Sequence, residues 1–142
     1  MAPKLRGQMR QIVLKCHMYQ NIIGEVCLHM KQDIMGLQFD NVTMDEATAR
    51  AEEILAGDKT CYAVTPNAEI AYEAMHDASL CELINGADLV LPDGAGVVLA
   101  SRLLKTPLKQ KVAGVDFADR LMGVLETTGG GLYLLGSKPG IA

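Results

Sequence analysis

The 142-residue sequence has no tryptophan, and its only aromatic residues are two Phe and four Tyr. Proteins that bind single-stranded nucleic acids stack bases on aromatic side chains, and most nucleic-acid-binding surfaces are basic. This chain instead has a formal net charge of −4. The composition therefore argues against a nucleic-acid partner. The sequence also lacks an apolar run of roughly 18 residues, the length that predicts a membrane-spanning helix.

The four cysteines form no CxxC pair, and the three histidines are not spaced with cysteines or carboxylates as metal ligands are. No Asp-x-Asp pair follows a predicted strand, so a divalent cation is not required by any motif. We therefore expect reduced thiols, as in a cytosolic protein, and neither a metal site nor a bound cofactor.

Apolar residues make up 49% of the chain, and small or branched aliphatic side chains dominate. This composition is typical of parallel strands that are covered by helices on both faces. The sequence predicts an α/β fold with a Rossmann-like, mostly parallel sheet covered on both faces. Periodicity and capping signals place strands at 34–39, 60–64, 88–91 and 132–135, and helices at 44–56, 68–75, 79–85, 95–102 and 115–125.

The domain boundary falls near residue 30. Residues 1–30 form an N-terminal extension, for which an amphipathic helix and an unordered segment both remain open, and residues 31–142 form the α/β domain. The chain stops where a helix should follow the predicted strand at 132–135, so we expect the fold to be incomplete at its C-terminal side. An uncovered last strand would favour association into a homo-oligomer.

Two strand–turn–helix units give the candidate site. The first strand ends in Thr65-Pro66-Asn67, and the second ends in Pro92-Asp93-Gly94. In open α/β sheets, ligands bind beyond the carboxyl ends of the strands, where loops and helix N-termini meet. We therefore expect Thr65, Asn67 and Asp93 to lie at one edge of the sheet.

Each of these residues also has a structural interpretation. Asn67 can cap the helix that follows it, and this role is compatible with ligand binding. Asp93 is either a turn and cap residue or an acid–base group, and Thr65 either ends its strand or contacts ligand. Asp93-Gly94 is also a hairpin signal, but the apolar run after it is too long and too rich in alanine for a hairpin arm. Arg102 is either a solvated surface cation or a contact for a diphosphate.

Several motifs follow one another in order between Asp33 and Ala142: Asp40-Asn41-Val42-Thr43, Thr65-Pro66-Asn67-Ala68-Glu69, Ala87-Asp88-Leu89-Val90-Leu91-Pro92-Asp93-Gly94, Ala100-Ser101-Arg102-Leu103-Leu104, Thr106-Pro107-Leu108, Val112-Ala113-Gly114-Val115-Asp116 and Tyr133-Leu134-Leu135-Gly136. With these motifs the segment resembles the N-terminal portion of the WecG/TagA/CpsF glycosyltransferases. The resemblance implies an inverting enzyme at the cytoplasmic face of the cell membrane. Such an enzyme moves an N-acetylmannosamine-type sugar from UDP to N-acetylglucosamine on a polyprenyl diphosphate, in teichoic acid or surface polysaccharide synthesis.

The resemblance also assigns roles to residues. It makes Asp93 the general base and places Thr65 and Asn67 in the same pocket. The role expected of Gly94 comes from its residue type instead, because the absence of a side chain lets a substrate approach the backbone. Lys111 stands where the family usually has arginine, so the charge is kept but the bidentate fork is lost. Contact with the membrane surface is expected through a C-terminal segment that this sequence lacks.

Two alternatives remain open. One is a nucleotide-binding or oxidoreductase module, suggested by the glycines at 129–131 and 136–140. These glycines lack the G-x-G-x-x-G spacing after the first strand, which counts against this class. The other is a catalytically incomplete fragment of such a transferase.

Overall fold

Helices and short strands alternate along residues 14–15 and 31–135, the part of the chain that the computed structural model describes. The elements in chain order are β1 (Leu14–Lys15), β2 (Lys31–Ile34), β3 (Leu37–Asp40), α1 (Met44–Leu55), β4 (Thr60–Cys61), β5 (Ala63–Val64), α2 (Ala68–Ala74), α3 (Ala78–Asn85), β6 (Leu89–Val90), α4 (Ala95–Leu103) and α5 (Gly114–Thr128). The α/β class predicted from the sequence is confirmed.

The central strand pair is β5–β6, which is parallel, with Val64 opposite Val90. The pairing continues past the strands, because Leu91 N donates to Val64 O at 2.8 Å and Asp93 N donates to Pro66 O at 3.3 Å. Side chains alternate between the two faces of a strand. Val90 accordingly lies in one core cluster and Leu89 and Leu91 in another.

The two core clusters explain why helices cover both faces of this pair. The cluster around Val90 includes Ala71, Ile84 and Val97, which lie on α2, α3 and α4. The cluster around Leu89 and Leu91 instead includes residues of α1 and α5. The expected helical cover on both faces is therefore present, while a Rossmann-like strand order beyond this pair stays a prediction.

The predicted strand at 34–39 is wrong, because the chain reverses within it. β2 and β3 form an antiparallel hairpin in which Ile34 is opposite Leu37. Met35 and Gly36 between them both have positive φ, 58° and 87°. Positive φ at both central residues is typical of the type I′ turn, whose twist matches that of the two strands. A second antiparallel pair joins β1 to β4.

Helix α1 begins as its sequence predicts. The hydroxyl of Thr43 accepts from Glu46 N at 3.2 Å, and the carboxylate of Glu46 accepts from Thr43 N at 2.8 Å. This reciprocal capping box satisfies two amide groups that the helix itself cannot pair. Lys109 lies 2.8 Å from Glu46, and this hydrogen bond, together with the one from Thr43, lowers the pKa of Glu46 below its usual value.

The predicted strand at 60–64 is divided at Tyr62 by Asp88. Tyr62 N donates to Asp88 Oδ2 at 3.0 Å, and Asp88 N donates to Tyr62 O at 3.0 Å. Burial acts to raise the pKa of Asp88, but hydrogen bonds from Tyr62 N, Cys61 and Lys59 outweigh it and lower the pKa below its usual value. The Asp88 carboxylate thus accepts a hydrogen bond from the backbone N–H group of Tyr62, the residue between β4 and β5.

An ion pair between a buried carboxylate and a partly exposed arginine, which the sequence did not predict, connects the hairpin to the central strands. The Asp40 side chain is fully buried, and its Oδ2 accepts from Val90 N at 2.8 Å. Arg50 on α1 donates to Asp40 Oδ1 at 2.8 Å and to Asp88 O at 3.1 Å. Asp40 therefore joins β3, α1 and β6 in one polar network inside the core.

Two further expectations meet the structure at the ends of the described chain. The sequence predicts residues 132–135 as the last strand, but the structure has them exposed and outside any strand or helix. Strand formation needs a neighbouring edge to satisfy the backbone groups, and the described residues pair no strand with this segment. Of the extension at 1–30, the structure describes only β1. For the rest of the extension, the choice between a helix and an unordered segment falls on residues outside the described part of the chain.

Candidate active site

Three helix N-termini meet beyond the carboxyl ends of β5 and β6. Asn67 is the N-cap of α2, Gly94 that of α4 and Ala113 that of α5. The segment before α5 is held beside the second strand unit, because Val112 N donates to Pro92 O at 2.9 Å. The edge that the sequence predicted from two strand–turn–helix units is therefore built from three segments.

Glycines allow these segments to touch. A Cβ atom at Gly114 would lie 2.6 Å from Thr65 Oγ1, and one at Gly96 would lie 2.9 Å from the Cβ of Ala68. Both distances are shorter than real Cβ contacts allow. Gly94 has a φ of 87°, which disfavours any side chain, and a Cβ atom there would lie 3.9 Å from the Cβ of Asn67. Larger residues at Gly96 and Gly114 would push the segments apart.

Asp93 is half-buried and binds the start of α5 rather than capping its own helix, α4. Its Oδ2 accepts from Gly114 N at 3.1 Å, whereas its Oδ1 has no hydrogen-bond partner among the described residues. The N-terminus of a helix carries unpaired N–H groups and partial positive charge, so a carboxylate is stabilised there. The interpretation of Asp93 as a cap residue is thus partly correct. The helix end that it caps is not that of α4 but that of α5, at Gly114, 21 residues further along the chain.

Asn67 and Thr65 lie at the same edge as Asp93. The Asn67 Oδ1 atom accepts from Glu69 N and Ile70 N, both at 3.0 Å, which confirms its structural role as the cap of α2. Within residues 31–135, its Nδ2 group has no hydrogen-bond partner, so both of its N–H donors are unpaired there. Thr65 is half-buried against Gly114, so its contact with a ligand stays a prediction.

The two candidate cations are placed differently. Lys111 is exposed and stands one residue before Val112, which is hydrogen-bonded to Pro92 at the site. Arg102 lies in the last turn of α4. With a rise of 1.5 Å per residue, it is about 12 Å along the helix axis from Gly94. The structure brings Lys111 to the strand ends and does not bring Arg102 there.

Gly114 is the residue that sequence reasoning missed. It lies within the motif Val112-Ala113-Gly114, but the sequence alone gave it no role. The available signal was a glycine at the first position of a long amphipathic helix, where a good helix former would otherwise be expected. In the described part of the chain, no three His, Cys, Asp or Glu side chains are close enough together to hold a metal ion.

With this geometry established, comparison with known proteins identifies the family. Residues 32–142 match the glycosyl transferase WecG/TagA/CpsF family. The chain belongs to this family. The resemblance inferred from the motifs is therefore confirmed.

Relatives in two strains of Staphylococcus aureus, NCTC 8325 / PS 47 and COL, are 37% identical to this chain over 110 residues. Both are named N-acetylglucosaminyldiphosphoundecaprenol N-acetyl-beta-D-mannosaminyltransferase. The match covers 75% of this chain but 43% of each relative. The chain thus spans less than half the length of these relatives. Among its described helices, none is both long and apolar enough to cross a membrane.

Proposed function

We propose that this family member transfers N-acetylmannosamine from UDP to N-acetylglucosamine carried on a polyprenyl diphosphate, with inversion at the anomeric carbon. The names of the Staphylococcus aureus relatives support the transferred sugar and the acceptor. The observation that carries the proposal is the placement of Asp93, whose Oδ1 is unpaired among the described residues and lies at an edge shared with Asn67.

In this mechanism Asp93 is the general base. The acceptor hydroxyl gives its proton to Oδ1 as its oxygen bonds to the anomeric carbon of the donor. The bond between that carbon and the UDP oxygen breaks at the same time, and UDP leaves with the electron pair. The Gly114 N–H group holds Oδ2, which fixes the carboxylate while its other oxygen reacts. A correctly oriented base is effective because no further ordering is needed during the reaction.

The leaving diphosphate needs positive charge. Lys111 is exposed next to the segment that carries Gly114, and we propose that its ammonium group contacts the phosphates. Lysine supplies charge without the planar fork of arginine, so the contact is expected to be less directional. The Nδ2 donors of Asn67, together with Thr65 and the open backbone at Gly94, would contact the sugars.

Arg102 stands apart from this group. Its position at the far end of α4 favours the interpretation as a surface cation over a diphosphate contact. The proposed setting is the cytoplasmic face of the cell membrane, where a lipid-linked acceptor is available.

The substitution Asp93→Asn tests the base. An asparagine Oδ1 can still accept from Gly114 N, so the link to α5 is retained while the proton acceptor is lost. We expect transfer of labelled sugar from UDP-N-acetylmannosamine to the lipid-linked acceptor to fall at least about 100-fold. Asp119→Asn, on the exposed side of α5, is the matched control and should leave transfer unchanged. Transfer by the Asp93 variant at the unsubstituted rate would refute the assignment.

Calorimetric titration with UDP and UDP-sugar separates the remaining alternatives. A chain that binds UDP-sugar but transfers nothing would be the catalytically incomplete fragment. A chain that binds nucleotides without preference for the sugar would be a nucleotide-binding module.

A further inference from the structure

The charges of this chain are unevenly distributed. The whole sequence has 17 acidic and 13 basic residues, yet residues 94–115 contain no Asp or Glu and four Lys or Arg. This segment comprises α4, the loop after it and the start of α5. Gly94, its first residue, and Gly114, next to its last residue, both lie at the candidate active site. The acid-free segment therefore borders that site.

Helix α4 has one buried face and one exposed apolar face. Val97 and Ser101 are buried, whereas Leu99 is 59% exposed and Leu103 is 76% exposed. Leu99 and Leu103 are four residues apart, so they lie on the same side of the helix. Arg102, also exposed, lies beside them. Exposed leucines with neighbouring cations are typical of surfaces that contact lipid.

The loop after α4 is held in place by Ser101. The Ser101 hydroxyl donates to Val98 O at 2.7 Å and accepts from Leu108 N at 3.1 Å, and Leu108 is buried. This arrangement leaves Leu104 and Lys105 exposed at the end of the helix. Of the cations in the segment, Lys109 is paired with Glu46. Arg102 and Lys105 have no acidic partner among residues 31–135.

We propose that Leu99, Arg102, Leu103, Leu104 and Lys105, together called the α4 surface, rest on an anionic phospholipid bilayer. Charge complementarity favours this partner, because the cations meet lipid phosphates while the leucines enter the boundary between headgroups and acyl chains. The net charge of −4 does not prevent contact, since charges beyond a Debye length of about 8 Å are screened at physiological salt. Binding of the α4 surface to lipid does not depend on the proposed function. Its use does rest on that function, because the contact would present the site to a lipid-linked acceptor.

Vesicle co-sedimentation tests the α4 surface without any sugar transfer. The protein is mixed with vesicles of phosphatidylcholine alone and with vesicles in which part of it is replaced by phosphatidylglycerol. We expect binding to the anionic vesicles only, and weaker binding as salt is raised. Since these vesicles contain no polyprenyl diphosphate, the result is independent of whether the transferase assignment is correct.

Two double variants locate the contact. Arg102→Glu with Lys105→Glu should weaken binding at least about 25-fold, at about fivefold for each cation removed. Leu99→Ser with Leu103→Ser should weaken it by about tenfold or more, because less apolar surface leaves water. Both pairs are exposed, so thermal unfolding should remain close to that of the unsubstituted protein.

Matched controls lie elsewhere on the surface. Leu83→Ser on α3 removes one leucine that is 61% exposed, and Arg120→Glu on α5 reverses the charge of one exposed cation on the other side of the sheet. Both controls should bind vesicles as the unsubstituted protein does. The proposal is wrong if the protein does not bind anionic vesicles, or if either double variant binds as well as its control. It is also wrong if the leucine variant instead separates a dimer while vesicle binding is unchanged, since α4 would then be an interface between copies.

Discussion

Replacing Gly114 with alanine tests the contact on which the site geometry depends. The new Cβ would lie 2.6 Å from Thr65 Oγ1 and 3.2 Å from both Thr65 Cβ and Cγ2. The N-terminus of α5 would have to move away from Thr65. That movement would strain or lengthen the 3.1 Å hydrogen bond from Gly114 N to Asp93 Oδ2. The substitution therefore disturbs the proposed base without changing any polar side chain.

The magnitude follows from opposing effects. In an unhindered helix, alanine is more favourable than glycine by about 1 kcal/mol. Overpacking typically costs about 1–3 kcal/mol, and a hydrogen bond to a charged group contributes about 1.5–3 kcal/mol. Only part of that hydrogen bond is lost if α5 shifts by a few tenths of an ångström. We expect Gly114→Ala to lower the free energy of unfolding by about 1–2 kcal/mol, the opposite of what helix propensity alone predicts.

Urea unfolding of a double-mutant cycle provides the assay. Thr65→Ala removes Oγ1 and Cγ2, which account for the 2.6 Å contact and one of the 3.2 Å contacts. The Thr65→Ala, Gly114→Ala protein should therefore recover stability relative to Gly114→Ala alone, with a coupling energy of about 1 kcal/mol. If Gly114→Ala is at least as stable as the unsubstituted protein, or if Thr65→Ala gives no recovery, then the close packing of these two residues is wrong.

Two further predictions concern the polar groups that hold the central strands. Arg50→Ala leaves the buried carboxylate of Asp40 without its charge partner. We expect the free energy of unfolding, measured in urea, to fall by about 3 kcal/mol, because unpaired buried charges are costly. A fall of less than about 0.5 kcal/mol, which is usual for a surface substitution, would contradict this. Folding lowers the pKa of Asp88, so its contribution to stability is present above its ordinary value of 3.8 and is lost as the pH falls through the lowered value. The stability difference between the unsubstituted protein and Asp88→Asn should consequently shrink in acid, and a difference that is independent of pH from neutral to strongly acidic conditions would contradict it.

Local signals predicted much of the fold. Thr43 and Glu46 are three residues apart, so the capping box that starts α1 was visible in the sequence. The helix after Asp93-Gly94 was also predicted correctly, because its length and alanine content outweighed the hairpin signal. In both cases the signals that determine the structure lie within a few residues of one another in the sequence.

What the sequence did not reveal depends on contacts between distant residues. Asp40 binds Val90 N across 50 positions, and nothing near Asp40 indicates that its carboxylate completes the hydrogen bonding of another strand. The reversal at Met35 required a non-glycine residue with positive φ, which is uncommon and is stabilised here by the hairpin around it. The strand predicted at 132–135 has suitable residue types, but strand formation needs a paired edge as well.

Asp93 combines both kinds of information. Its position after a buried strand and before a helix predicted that it would lie at the edge of the sheet, and it does. Its partner, Gly114 N, could not be predicted because α5 returns to this edge through contacts between residues distant in sequence, such as the hydrogen bond from Val112 N to Pro92 O. This partner matters for the proposed chemistry, since a carboxylate with one oxygen held by a helix N-terminus has a fixed orientation and leaves its other oxygen available. Gly114 at the start of α5 and Asp93 beyond the end of β6 are therefore linked directly, and replacing Gly114 should change how the Asp93 carboxylate is held.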